Sequence, residues 1–418
     1  MGERDAKARR TARVLYVENG IGYGGAIICL RHLVRNLDRR RFDPLVVTGK
    51  DLEPYRSIGE DATWIPIRDR ILDTLGWQRR VAESRLGRTH PRLESLVRKI
   101  LGRIDDIVNF VPFLARLLFT IAKHRPAIIH ANNEPMCNRA ALIAGKMSGV
   151  PVVCHVRGDY GEPSRVLRWL YSLPSHFIAV SRWISDGMAP LGVPADRRTC
   201  IYDGIELEKL DPAAEGVVFR QRFGIPVEAF AVGLIGLLIP WKGQRLFLEA
   251  GQTLLGRIPG LYLVIVGGTP EIWAPYERQL RALAADPAFK GRVVFTGHLS
   301  EMAQAYMGLD VVVSASTSPE PLGTVVIESL ALGRPLVAPA HGGAAEMIED
   351  GNTGLLFRPG DSGHLAEQIH RLHADPGLAS RLGRAAREKA LRTFAVRRHV
   401  EQVQAIYERI LEEADVAA

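Results

Sequence analysis

Glu320 and Glu328 stand eight residues apart in Ser316-Thr317-Ser318-Pro319-Glu320-Pro321-Leu322-Gly323-Thr324-Val325-Val326-Ile327-Glu328, directly after the apolar run 310–315. The spacing alone says little, since average usage yields about one such pair in a chain of this length. Its context suggests chemistry. An apolar strand followed by this loop and a helix puts the loop beyond the carboxyl end of a strand, where open α/β sheets bind ligands. Gly323 allows a ligand close to the backbone, and Thr324 is expected to cap a helix whose first N–H groups face a diphosphate. About one turn into that helix, Glu328 can accept hydrogen bonds from ribose hydroxyls. Glu320, ahead of the glycine, can hold the hydroxyls of a sugar. The bland readings are a solvated helix face for Glu328 and an ordinary loop carboxylate for Glu320.

A second glycine-rich stretch, Gly20-Ile21-Gly22-Tyr23-Gly24-Gly25, follows the run 13–18 and precedes a helical pattern over 26–37. It satisfies G-x-G-x-x-G, whose backbone can approach phosphate oxygens at a helix N-terminus. A nicotinamide dinucleotide also needs a carboxylate at the end of the second strand, to hold ribose. That strand ends Val47-Thr48-Gly49-Lys50, with Asp51 only beyond it, which weakens an oxidoreductase reading.

Around these loops, short β-branched runs alternate with helical patterns. Strands are predicted at 13–18, 44–47, 127–131, 152–156 and 177–180, then at 231–236, 261–267, 292–297, 310–315 and 335–338. Helix-length stretches such as 243–255 and 325–332 separate them. The alternation implies an α/β chain with two parallel sheets, each covered on both faces. With 418 residues there is material for two domains. We place the join at Tyr202-Asp203-Gly204-Ile205, giving 1–204 and 205–395.

The segment 70–125 interrupts the rhythm. Within 93–124 cations alternate with apolar residues, ending in the run 108–122, which Pro112 and Arg116 break. A helix there carries an apolar face with cations beside it. Two readings stand: docking on a membrane interface through Phe110, Phe113, Leu117 and Phe119, or an ordinary buried helix. Charge is uneven as well. Residues 1–200 hold 33 Lys+Arg against 20 Asp+Glu, and the remainder 21 against 26, so a net +13 half joins a −5 half. The cations are dispersed and carry no nucleic-acid signature. An anionic membrane surface or a phosphate-bearing acceptor fits better than nucleic acid, beside the plain reading of a solvated surface.

Cys29, Cys137, Cys154 and Cys200 are scattered, with no CxxC and no histidine at metal spacing, which points to a reducing compartment. The charged start MGERDAKARR is unlike a secretory signal. Ala6 stands where a myristoylation motif wants Ser or Thr. No apolar run is long enough to span a bilayer. A cytoplasmic protein, at most peripheral on the inner membrane face, is expected.

The segment from Glu320 to Glu328 resembles the E-x7-E region of retaining glycosyltransferases of the GT-B fold, in the large group called family 4. The resemblance covers nearly the whole chain and is strongest from Ile178 onward. Phe177-Ile178-Ala179-Val180-Ser181 is similar to the family's strand entering the interdomain region. Ile201-Tyr202-Asp203-Gly204-Ile205 resembles its "I-x-N-G-V" turn, with Asp203 for the usual Asn. Gly236 and Trp241-Lys242-Gly243 resemble its "G-R-L…K-G" phosphate-binding segment. His341-Gly342-Gly343 and 351–357 resemble its later glycine turns.

The resemblance implies two Rossmann-like domains facing a cleft, with a last helix (about 396–418) packing back on the first domain. It implies a hexosyltransferase using a nucleotide-diphosphate sugar, working without a metal or other cofactor, in polysaccharide or glycolipid assembly. The diphosphate lies on Lys242, Gly236 and the N–H groups of Gly323, Thr324 and Val325. Glu320 positions the sugar as the catalytic residue, Glu328 takes the ribose, and Gly24 and Gly25 approach from the first domain. Asn132 and Arg157, where many members have histidine, fall on the acceptor or phosphate side, with a lipid-linked or saccharide acceptor. One departure is large: the family's arginine after the glycine falls at Leu237, removing one of two cations expected on the diphosphate. Two rivals follow: a catalytically inactive scaffold that binds nucleotide sugar, and a GT-B nucleotide-sugar epimerase.

Overall fold

The computed structural model describes residues 11–19, 25–84, 89–158 and 163–417. Two compact units divide it. The first holds residues up to Val180, then Ile184–Ile201 and the C-terminal stretch from Val400; the second holds Ser181–Trp183 and Tyr202–His399. Residues 181–183 join the second unit through Glu346, whose carboxylate accepts from the backbone N–H of Arg182 (2.8 Å) and Trp183 (2.6 Å).

The first unit is a seven-stranded sheet built from β1 (Ala12–Glu18), β2 (Phe42–Thr48), β3 (Thr63–Pro66), β4 (Ile128–Asn132), β5 (Val152–Val156), β6 (His176–Ala179) and β7 (Arg198–Cys200). Its order is β3-β2-β1-β4-β5-β6-β7, and every pair is parallel. The second unit repeats the scheme with β8 (Phe230–Ile235), β9 (Leu261–Val266), β10 (Val293–Gly297), β11 (Val311–Val313), β12 (Leu336–Pro339) and β13 (Leu355–Phe357). Its order is β10-β9-β8-β11-β12-β13, again all parallel. Helices cover the faces, so the central strands read as unbroken apolar runs, and Val14–Val17 and Leu263–Ile265 are wholly buried.

The ten predicted strands are present, with ends shifted by a residue or two. Three strands are additional: β3, β7 and β13, of four, three and three residues, all at sheet edges. None of the three has a β-branched run such as Val311–Val313, by which the equally short β11 is read.

The last helix runs from Val396 to Ala417 and lies on the first unit from Val400 onward. Tyr407 is its anchor. Its side chain is buried, with its hydroxyl 3.1 Å from that of Tyr16 and 2.7 Å from Nδ1 of His130.

The helices Pro91–Asp105 and Val111–His124 are joined by a π turn, Asp106–Phe110, rather than broken at Pro112. Pro112 gives up one hydrogen bond to the preceding turn, and the wide π turn before it makes room for the ring. Two residues expected to meet lipid do not. Phe113 and Leu117 are 2% and 0% exposed, because their face of the helix packs into the first unit. Phe110 lies under the Arg139 guanidinium, while Phe119 points outward. Among the described residues no helix is long and apolar enough to cross a membrane.

Arg409 of the last helix reaches His176 on β6, with Nη2 3.0 Å from Nδ1, while Nε2 sits 2.8 Å from Thr199 Oγ1. A guanidinium only donates, so Nδ1 must offer its lone pair and the ring proton sits on Nε2. Burial, with Arg409 and Arg197 nearby, pulls the His176 pKa from 6.5 down to about 4. Between those values the unfolded chain binds a proton that the folded one excludes, so stability must fall as pH drops from 6.5 toward 4. Urea midpoints across that range should decline in the wild type and decline less in His176→Gln. Equal slopes would show that His176 does not carry the effect.

Candidate active site

In the second unit strand order reverses between β8 and β11, and at such a switch point the two neighbouring crossovers leave a crevice at the carboxyl ends. The segment after β8 supplies Gly236 and Lys242; the segment after β11 supplies Ser316 and Glu320. The structure brings the last three together. Lys242 Nζ lies 2.7 Å from Glu320 Oε2, with the two side chains only 18% and 12% exposed. Ser316 Oγ donates to the other carboxylate oxygen. Lys242 also lies over the Trp241 ring, 4.6 Å from its centroid, so an aromatic face and a carboxylate flank one ammonium.

The Glu320 loop is held by backbone. Gly343 N–H donates to Glu320 O at 2.8 Å, and His341 Nε2 lies 3.0 Å from Ser316 O. A Cβ on Gly343 would come within 2.5 Å of Pro321 O, so the glycine turn after β12 lets the two loops touch. Thr324 is not the helix cap. Gly323 takes that place with φ of +88°, a left-handed conformation suited to glycine, and Thr324 is the first residue of the helix Thr324–Ala331. No side chain caps this end, and a helix start leaves its first N–H groups without intrahelical acceptors. Gly323 and Val325 line the crevice with Lys242 and Glu320.

Glu328 lies one turn along that helix and is not a free solvated carboxylate. Tyr306, fully buried on the helix Met302–Met307, donates its hydroxyl to Glu328 Oε2 at 2.6 Å. Burial pushes the Glu328 pKa up, and the tyrosine hydrogen bond works against that rise. Tyr306 was missed in the sequence because its partner stands 22 positions away and no local pattern marks it. Leu237, at the family's arginine position, is 50% exposed, and its carbonyl accepts from Gln244 Nε2 at 2.8 Å.

The first unit has its own switch point, between β1 and β4. Asn132 ends β4 there and is wholly buried. Its amide nitrogen donates to Glu18, at the end of β1, and to Ala26 O at 3.2 Å. Its oxygen accepts from Arg157 Nε at 3.0 Å, and Asn133 donates to Glu18 at 2.9 Å. Asn132 thus faces other protein groups, whereas Arg157 is part-exposed. Glu18 was not singled out in the sequence; the polar end of an otherwise apolar strand was its only signal. Gly25 begins the helix Gly25–Arg35, and a Cβ there would meet no described atom within 4 Å. Gly24 lies outside the described residues. β2 ends at Thr48, whose hydroxyl accepts from Trp64 Nε1, so no carboxylate closes that strand. Among the described residues no three His, Cys, Asp or Glu side chains gather as metal ligands would.

Residues 218–389 match the family described as Glycosyl transferases group 1, and residues 23–209 match Glycosyltransferase Family 4. Over 339 residues the chain is 34% identical to a D-inositol 3-phosphate glycosyltransferase of Acidothermus cellulolyticus, covering 74% of each. The chain belongs to the group 1, family 4 glycosyltransferases. This transferase is also 31% identical, over 51% of its length and 56% of the relative's, to a GDP-mannose-dependent alpha-(1-6)-phosphatidylinositol monomannoside mannosyltransferase of Mycolicibacterium smegmatis. Its fold is shared with Anabaena HepE, solved with UDP (TM-score 0.77, 23% identity, 95% of this chain and 100% of that one). The sucrose-phosphate synthase of Thermosynechococcus elongatus shares it too (TM-score 0.72, 20% identity, 96% and 100%). The transferase therefore has the GT-B architecture of two Rossmann-like α/β domains.

The Tyr306–Glu328 pair makes a pH-resolved prediction for the transferase. The folded pKa of Glu328 is raised, so the acid costs folding little below its ordinary value of 4.5 and more as pH rises above it. Tyr306→Phe removes the group that limits this cost. We expect a loss of about 1–3 kcal/mol near neutral pH and a distinctly smaller loss near pH 4, read by urea unfolding. A loss that is equal at both would show that packing, not the hydrogen bond, is at stake.

Proposed function

We propose that this transferase moves a sugar from a nucleoside diphosphate to an acceptor with retention of configuration and without a metal. The observation that carries the reading is the Lys242–Glu320 pair beside the Gly323 helix start. A cation and a row of N–H groups suit a diphosphate, and a carboxylate suits sugar hydroxyls. In the free protein Glu320 is the counter-ion of Lys242. A diphosphate is a stronger anion, so on binding it takes Lys242, and Glu320 turns its oxygens to the sugar. Charge growing on the leaving nucleoside diphosphate is then met by Lys242 and by the N–H groups of Gly323, Thr324 and Val325. Gly236 leaves the Lys242 stem room, Glu328 takes the ribose hydroxyls, and the departing phosphate accepts the acceptor's proton. Glu320 positions the sugar and forms no bond to it.

On the first unit we assign Gly25, with Gly24 before it, to the donor. Arg157, held by Asn132, is assigned to a lipid-linked or saccharide acceptor in polysaccharide or glycolipid assembly on the cytoplasmic side of a membrane. UDP bound to HepE and the GDP-mannose and phosphatidylinositol substrates in the mannosyltransferase's name support this choice of classes. Leu237 favours a second reading, a nucleotide-sugar-binding scaffold without turnover, since one of the family's two diphosphate cations is missing.

Thermal unfolding with UDP, GDP, ADP, CMP and NAD in turn, followed by turnover assays with and without EDTA, separates the readings. A ligand held only by the folded state raises the midpoint. We expect one nucleoside diphosphate to do so, and Lys242→Ala to abolish the rise. Glu320→Gln should keep or enlarge it, because Lys242 loses a competing anion, while turnover falls about a hundredfold. EDTA should change nothing. Binding without turnover in the wild type would favour the scaffold, and conversion of the sugar with no acceptor present would favour an epimerase.

A further inference from the structure

The helical segment 91–124 leaves an apolar stripe facing solvent. Leu93, Leu96, Ile100, Ile107, Val111 and Phe119 are 41%, 54%, 52%, 69%, 54% and 70% exposed. Their spacings of three, four, seven, four and eight residues keep them on one side of the helix. Single exposed apolar side chains are ordinary, but six that recur on one side over about seven turns are not. In the second helix the opposite side is used up: Phe113, Leu117 and Ile121 are buried in the first unit.

Charge identifies what covers the stripe. Arg92, Lys99, Arg103, Arg116 and Lys123 are exposed along the segment. Its carboxylates are turned to protein partners: Glu94 to Arg98 at 3.3 Å, Asp105 to Thr74 at 2.5 Å, Asp106 to Arg139 at 2.9 Å. Arg103 is 86% exposed and comes no closer than 4.0 Å to Asp106. Apolar side chains flanked by exposed cations suit a helix lying in the plane of an anionic lipid interface. A protein partner of the same shape would need an acidic rim. A second copy would bring like charges together.

We propose that 91–124 docks this protein on an anionic membrane surface, with Leu96, Ile100 and Ile107 among the acyl chains and Lys99 and Arg103 at the phosphates. The inference does not rest on the donor-site reading, because binding is measured without substrate. The test is co-sedimentation of the full chain with phosphatidylglycerol–phosphatidylcholine vesicles and with phosphatidylcholine alone, at low salt. The wild type should bind the anionic vesicles and not the neutral ones. The triple variant Leu96→Gln, Ile100→Gln, Ile107→Gln and the double variant Lys99→Glu, Arg103→Glu should each weaken binding about tenfold or more. Their thermal midpoints should stay put, since every position is exposed. If the triple variant unfolds, Phe119→Gln and Lys99→Glu alone carry the same comparison. Undiminished binding by the apolar variants would overturn insertion. Failure of the wild type to bind, or a wild-type dimer in light scattering that the triple variant dissolves, would overturn the membrane as occupant.

Discussion

Parallel pairing is the constraint from which most of this molecule follows. Parallel strands cannot be joined by a tight hairpin, so each connection must leave the carboxyl edge, cross a face and return. Strand order reverses between β1 and β4 and again between β8 and β11, and there neighbouring crossovers part to opposite faces. The crevice left behind is lined by whatever follows those strands. In the second unit that is Lys242 after β8 and Ser316 and Glu320 after β11, residues 78 apart in sequence and 2.7 Å apart in space. In the first it is Glu18 at the end of β1 and Asn132 at the end of β4. The same topology thus makes two polar crevices, and their side chains then differ.

They differ in how completely each is satisfied. Around Glu18, Asn132 and Asn133 supply donors, and Arg157 in turn holds Asn132, so the carboxylate oxygens are hydrogen-bonded by protein groups. Around Lys242 the balance is thinner. A largely desolvated ion pair gains little net stability, because the cost of removing two charges from water nearly offsets their attraction. Taking one partner away strands the other's charge, so an anion that claimed Lys242 would have to come with a group that meets Glu320. Gly343 and His341 fix the backbone of the Glu320 loop, so such an exchange needs rotation of side chains only.

How much of this could be read in advance depended on distance along the chain. The ten predicted strands and the Glu320–Glu328 loop were legible because strand runs, glycine turn and helix lie in one short window. β3, β7 and β13 were not: their residues, TWIP, RTC and LLF, form no β-branched run like the VVV of the equally short β11. Thr324 looked like a cap because threonine prefers that place, yet the turn needs a left-handed residue and Gly323 takes it. Tyr306 and Glu18 were invisible for another reason. Each acts through a partner brought near by folding, 22 and 114 positions away, and nothing local marks either pairing.

Net charge shows the same limit. A basic first half suggested an anionic partner, but several of those cations have local work. Arg31 and Arg35 share Asp61, Arg13 meets Asp43, and Arg56 meets Asp51. Counting charges cannot separate these from Lys99 or Arg103. Only the fold does, by turning the carboxylates of 91–124 toward Arg98, Thr74 and Arg139 and leaving the cations outside. The hydrophobic pattern left two readings open, and the fold divides them: Phe113 and Leu117 complete a core that the sheet requires, and the aliphatic row at 93–111 is what remains outside. An amphipathic helix packed on a domain has its strongest apolar face inward by necessity. A second apolar row outside is therefore surplus to folding, and it is the surplus that points to a partner.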